Sequence, residues 1–182
     1  MISKEEQNNT MEANILLTGR PGIGKTTAIR KIVERLGAKS ARGFLTYEIR
    51  ESGNRVGFAI ETLSGRKGTL AHIGLNTGIR VSRYQVSIRD IDSIIIPELE
   101  IARESDSLII IDEIARMEMF SDLFEPEVRR CLDTGRVVGA IQQRKGPFLD
   151  EIRSRSDIQF LEMTYSNRNE IPLKVLSLIG KQ

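Results

Sequence analysis

A glycine at position 19, another at 24 and Lys25-Thr26 directly behind it give the spacing G-x-x-x-x-G-K-T. The stretch Gly19-Arg20-Pro21-Gly22-Ile23-Gly24-Lys25-Thr26-Thr27 constrains the fold more than any other, because its chemistry needs a strand before it and a helix after it. Both flanks comply. Ile15-Leu16-Leu17 is an apolar run within a strand expected at about Asn14 to Thr18. Beyond Thr26, Ile29, Ile32, Val33 and Leu36 recur at helical spacing, and Gly37 offers a C-cap. The glycines let the backbone curl so that successive N–H groups face an anion. The helix directs its unpaired N–H groups and positive dipole end at the same point. Lys25 supplies a point charge for the β- and γ-phosphates of a nucleotide, and the Thr26 hydroxyl is a candidate Mg²⁺ ligand.

Downstream, Gly43 to Arg50, Arg55 to Thr62 and Gly68 to Ile73 are short alternating runs. Ser52-Gly53-Asn54 and Ser64-Gly65-Arg66, which separate them, are hairpin signals. They predict a three-stranded meander over roughly 42–75, inserted after the first strand–helix unit, with Phe44, Leu45 or Tyr47, Val56, Phe58 and Ile60 facing inward. Asn76 to Val86 reads as a loop leading into a short strand. Asp90 is the expected N-cap of a helix reaching about Glu104, in which Pro97 predicts a kink or a late start. The rest alternates strand with helix: strands at Leu108–Ile111, Val137–Ile141 and Ile158–Met163, helices near Leu123–Asp133, Phe148–Arg155 and Arg168–Ile179. This predicts an α/β fold, a mostly parallel sheet flanked by helices with an antiparallel β-hairpin or meander extension. The length of 182 residues suits one domain over 13–182, behind a flexible lead-in over 1–12 with Met11 an alternative start.

Holding a polyphosphate does not by itself make a catalyst; something must activate the attacking group. Leu108-Ile109-Ile110-Ile111 is apolar on both faces, as in a central parallel strand, and it runs into Asp112-Glu113-Ile114. An acid at the carboxyl edge of such a sheet sits where open α/β folds bind ligands. Asp112 is placed to hold Mg²⁺ directly or through its waters, and Glu113 to act as general base on a water. Arg116 is the cation nearest in sequence for charge on the transferring phosphoryl group; Arg144, Lys145 and Arg83 are further candidates, and Gln142 is a polar one.

The net charge of +2 gives no reason to expect a nucleic-acid or membrane partner, and the longest apolar runs are too short to span a bilayer. The single cysteine, Cys131, cannot form an internal disulfide and fits a reducing, cytoplasmic setting. His72 is the only histidine, so no multi-histidine metal site exists. No N-K-x-D guanine-reading motif occurs.

Several stretches together resemble the thermophile-type, or cancer-related, nucleoside-triphosphatase family. They are Gly19 to Thr27, Gly43-Phe44, Val56-Gly57-Phe58, Arg83-Tyr84, Ile111-Asp112-Glu113-Ile114-Ala115-Arg116-Met117-Glu118-Met119-Phe120-Ser121, Pro147-Phe148 and Asn167-Arg168. The resemblance implies a RecA-like phosphate-loop fold of the additional-strand class. It implies slow, Mg²⁺-dependent, base-unselective hydrolysis of nucleoside triphosphates (ATP, GTP, CTP and UTP) to diphosphates. By position it makes Gly19 to Thr27 the nucleotide-binding loop, Leu108 to Ile114 the second nucleotide-binding strand, Asp112 the metal-associated acid and Glu113 the base. Ala115-Arg116 stands where the family has Gly-Lys, and Ser82 and Gln85 stand where it has glycines. Two other readings stay open at this level. One is a nucleotide or small-molecule kinase, for which Arg153 and Arg155 are a thin match to an arginine-rich lid. The other is a slow nucleotide-dependent switch that presents its hairpin to nucleic acid or protein.

Overall fold

The computed structural model describes residues 14–37 and 40–180, so the expected lead-in over 1–12 lies outside the described residues. All the described strands join one mixed sheet. β1 (Asn14–Thr18), β2 (Ala41–Glu51), β3 (Asn54–Thr62), β4 (Lys67–His72), β5 (Arg80–Val81), β6 (Tyr84–Val86), β7 (Leu108–Ile114), β8 (Val137–Ile141) and β9 (Ile158–Glu162) lie in the order 5-6-4-3-2-7-8-1-9. The pairs β2–β7, β7–β8, β8–β1 and β1–β9 are parallel. From β2 outward through β3, β4, β6 and β5 every pair is antiparallel. β2 therefore belongs to both halves. Ala41 to Phe44 pair with Leu108 to Ile111, and the remainder of the strand turns back through the meander.

Alternate strand residues feed two apolar layers. Ile15, Leu17, Ile110, Val138 and Ala140 meet Ile29 and Ile32 of α1 (Lys25–Leu36). On the other face Leu16, Phe44, Ile109 and Ile111 share a core with buried residues of three later helices: Leu99, Phe124 and Val128, and Phe148. The strands β1, β7 and β8 are almost wholly buried, as a parallel sheet covered on both faces must be. β2 and β7 come so close that a Cβ on Gly43 would sit 2.0 Å from the Ile110 carbonyl oxygen, and Gly43 holds φ 125°. Only glycine fits there.

The helical stretch after β6 departs from expectation. Ser87, not Asp90, caps its start: the Ser87 hydroxyl accepts from the Asp90 N–H in α2 (Ile88–Asp90). The Asp90 carboxylate instead accepts from Thr69 N–H in β4 at 2.7 Å. Pro97 cannot donate to the helical ladder. Around it the chain widens to a π-helical turn over Ile91–Ile95 before α3 (Ile96–Glu104). α4 (Phe124–Leu132), α5 (Pro147–Ser154) and α6 (Ile171–Leu178) fall close to their expected positions. Cys131 is buried in α4, and burial pushes its thiol up to about 12, so it is a packing residue. Among the described residues no helix is long and apolar enough to cross a membrane.

The two-residue turn between β5 and β6 places Ser82 at φ 56°, a left-handed conformation that costs an L-residue its Cβ clearance. Ser82→Gly is expected to raise the unfolding free energy by roughly 0.5–1 kcal/mol in urea titration, the relief of strain exceeding the added chain entropy.

Candidate active site

The loop before α1, the end of β7, the end of β8 and the meander strands border a cleft of about 880 Å³ at the carboxyl edge of the parallel strands. The loop from β1 into α1 forms its floor. Gly24, the residue before α1, has φ 107° and contributes no side-chain cap, and the first turn carries no acid. The N-terminal N–H groups of α1 are therefore left to a ligand, and an anion is what they suit. Gly19, Pro21, Gly22, Gly24, Lys25, Thr26 and Thr27 border the cleft. Ile23 turns away into the core beside α1, and Arg20 is exposed outside the cleft.

β7 runs on to Ile114 instead of ending at Ile111, and its pairing with β8 shifts where the acids sit. Ile111 pairs with Gly139 and Ile114 with Ile141, so Asp112 and Glu113 together face the single residue Ala140. In a regular strand neighbouring side chains point to opposite faces. This bulge lets both acids border the same cleft. Leu108, Ile109, Ile110, Ile111 and Ile114 are core residues that carry the pair without reaching the cleft themselves.

Asp112 is fully buried. Its Oδ2 accepts hydrogen bonds from Thr26 Oγ1 at 3.2 Å, Thr46 N–H at 2.9 Å and Thr46 Oγ1 at 2.5 Å. Its Oδ1 is buried without a partner. Burial pushes the Asp112 carboxyl above the usual carboxylate range, against the pull of those bonds. Lys25 Nζ donates to the Gly19 carbonyl at 3.2 Å and pairs with Glu113 Oε1, also at 3.2 Å. The ammonium thus lies between the phosphate loop and the second acid.

Arg116 and Arg144 stand exposed on the cleft wall, the Arg116 guanidinium 5.9 Å from the Phe120 ring. Gln142 borders the cleft at the end of β8, and its Oε1 accepts the Arg116 N–H at 3.2 Å. Arg83 lies elsewhere, against the Arg55 carbonyl and the Tyr84 ring. The two lid candidates do not border the cleft either. Arg153 is bound to Asp150 and the carbonyls of Gln142 and Arg144, and Arg155 to Asp133 and Asp157.

Two residues of the site escaped the sequence reading. Thr46, on the meander strand β2, looked like any polar position in an alternation, yet it gives Asp112 two hydrogen bonds. Glu118 borders the cleft while only 3% exposed. Its signal was an acid set among Met117, Met119 and Phe120. Burial, aided by the charges of Glu113 and Asp112, pushes the Glu118 carboxyl up to about 8.

The sequence matches the model of a family described as NTPase over residues 14–176. It is 42% identical over 166 residues to a protein named nucleoside-triphosphatase THEP1 from Thermotoga sp. (strain RQ2), covering 91% of this chain and 94% of that one. It is 38% identical over 177 residues to the cancer-related nucleoside-triphosphatase of Homo sapiens, covering 88% and 93%. The crystal structure of THEP1 from Aquifex aeolicus superposes with a TM-score of 0.84 at 38% identity, over 92% of this chain and 99% of that one.

Because the raised Glu118 value keeps a proton that the unfolded chain has already released, this group's contribution to stability is full at low pH and lost as pH rises toward about 8. The melting temperature of the protein is expected to fall between about pH 5 and about pH 8, and Glu118→Gln to flatten part of that slope, the raised Asp112 carboxyl adding to it in the same direction. An unflattened slope would assign the titration to other groups.

Proposed function

This chain belongs to the NTPase family, and we propose that it hydrolyses nucleoside triphosphates to diphosphates and phosphate in the cytoplasm, with Mg²⁺ as cofactor. The observation that carries this reading is the convergence of Lys25, Thr26, Asp112 and Glu113 on one cleft at the open end of α1. Little selectivity for the base is part of the proposal: the relatives' names specify nucleoside triphosphates without a base, and no guanine-reading motif is present.

The donor set suits the cation. Asp112 Oδ1 is a buried oxygen without a partner, next to the Thr26 hydroxyl that bonds its twin, and Mg²⁺ takes oxygen ligands. Bound there, Mg²⁺ would neutralise charge on the β- and γ-phosphate oxygens. The chain's own groups do the rest. The N–H groups at the start of α1 and the loop before it hold the phosphates in line. Lys25, which pairs with Glu113, is the cation within reach of a phosphate seated on the loop. As Lys25 turns to the phosphate, the Glu113 carboxylate is released to accept a proton from the attacking water. Arg116 and Arg144, on the cleft wall, are the cations available to the departing phosphoryl group.

With Mg²⁺ and no acceptor, phosphate release is expected from ATP, GTP, CTP and UTP at comparable rates; release only on adding an acceptor would indicate a kinase. Glu113→Gln should retain nucleotide binding while turnover falls by roughly 10²–10⁴. Undiminished turnover in that variant removes Glu113 as the base. Lys25→Ala should weaken triphosphate binding and turnover together, measured by calorimetry and phosphate release.

A further inference from the structure

Glu118 opens a single 3₁₀ turn, Glu118–Phe120, between β7 and α4. Its side chain is almost completely enclosed, yet it forms part of the cleft wall with Asp112 and Glu113. One carboxyl oxygen, Oε2, is buried with no hydrogen-bond partner. Among the described residues the only other carboxyl oxygen in that condition is Asp112 Oδ1, on the same cleft. Buried polar atoms without partners are uncommon, and two acidic ones in one cleft ask for a shared explanation.

Mg²⁺ demands six oxygen ligands and keeps several of its waters when a protein binds it. Among the described residues no three histidine, cysteine, aspartate or glutamate side chains are grouped to hold a metal ion. A cation beside Thr26 and Asp112 would therefore complete its shell with phosphate oxygens and water. Each such water needs acceptors for its hydrogens, and along the stretch of wall from Ala115 to Glu118 the Glu118 carboxyl is the side-chain oxygen that can supply one. We infer that Glu118 Oε2 accepts a hydrogen bond from a water in the hydration shell of the site's divalent cation. Glu118 is then a positioning residue for the metal–triphosphate complex, neither a direct ligand nor the base. A dication nearby would offset the loss of solvent around the buried carboxyl.

This inference rests on the Mg²⁺-nucleotide reading of the cleft, and one binding experiment separates the two. The affinity of an ATP analogue with an imido β,γ-bridge is measured by calorimetry, in Mg²⁺ and in EDTA, for the unaltered chain and for Glu118→Met, which fills the same space without an oxygen. The two proteins should bind the analogue equally in EDTA, while the enhancement by Mg²⁺ should be about 10–100-fold smaller in the variant. Equal enhancement in both proteins overturns the role of Glu118 and leaves the Mg²⁺ reading standing. So does an affinity lost as much in EDTA as in Mg²⁺, which marks a structural acid. No enhancement in the unaltered chain overturns both. If circular dichroism shows Glu118→Met to be unfolded, Glu118→Asp, one methylene short of the same reach, carries the same expectations.

Discussion

One carboxylate oxygen, Asp112 Oδ2, ties together three parts of the chain that are far apart in sequence. It accepts from Thr26 on α1 and twice from Thr46 on β2 while itself sitting on β7. A buried, partly paired acid is expensive, and a protein keeps one only where the surrounding groups hold it fast. Fixing that oxygen also fixes its twin, the buried and unpartnered Oδ1, relative to the phosphate loop. The meander is thereby bound to catalysis through Thr46: the hairpin that extends the sheet also supports the acid from its far side.

The strand order explains why these groups can meet at all. β8 lies between β1, which delivers the phosphate loop, and β7, which delivers the acids. That spacing separates Lys25 from Glu113 by one strand, a gap their side chains close at 3.2 Å. It also puts the end of β8, and with it Gln142, midway between them. Gly43 and Gly139 permit the tight approach of β2 and β8 to β7; a Cβ on either would lie within 2.2 Å of a β7 carbonyl oxygen. Backbone closeness is therefore a condition of the site and not merely of the core.

Much of this was legible in the sequence because it depends on short-range rules. The loop spacing, the helical period of Ile29, Ile32 and Leu36, and the doubly apolar run before Asp112 each follow from local backbone geometry. What was illegible depends on register. Nothing local says that β7 bulges at Asp112-Glu113, yet without that shift the two acids would point to opposite faces of the sheet. Thr46 reaches Asp112 only because β2 pairs with β7 in one particular alignment. The cap at Ser87 was missed for a related reason: Asp90, the better capper by type, is drawn off to the Thr69 N–H across a neighbouring strand.

The Lys25–Glu113 pair makes the resting site its own competitor. In the proposed mechanism a triphosphate that engages Lys25 first displaces an internal carboxylate, so its affinity would be a difference between two ion pairs, not the strength of one. Once Glu113 has passed on the proton it takes from the water, the same carboxylate would reclaim the lysine. A diphosphate, with one phosphate fewer to hold it, then meets stronger opposition than the triphosphate did. A contact that looks like static stabilisation thus favours the departure of product over that of substrate.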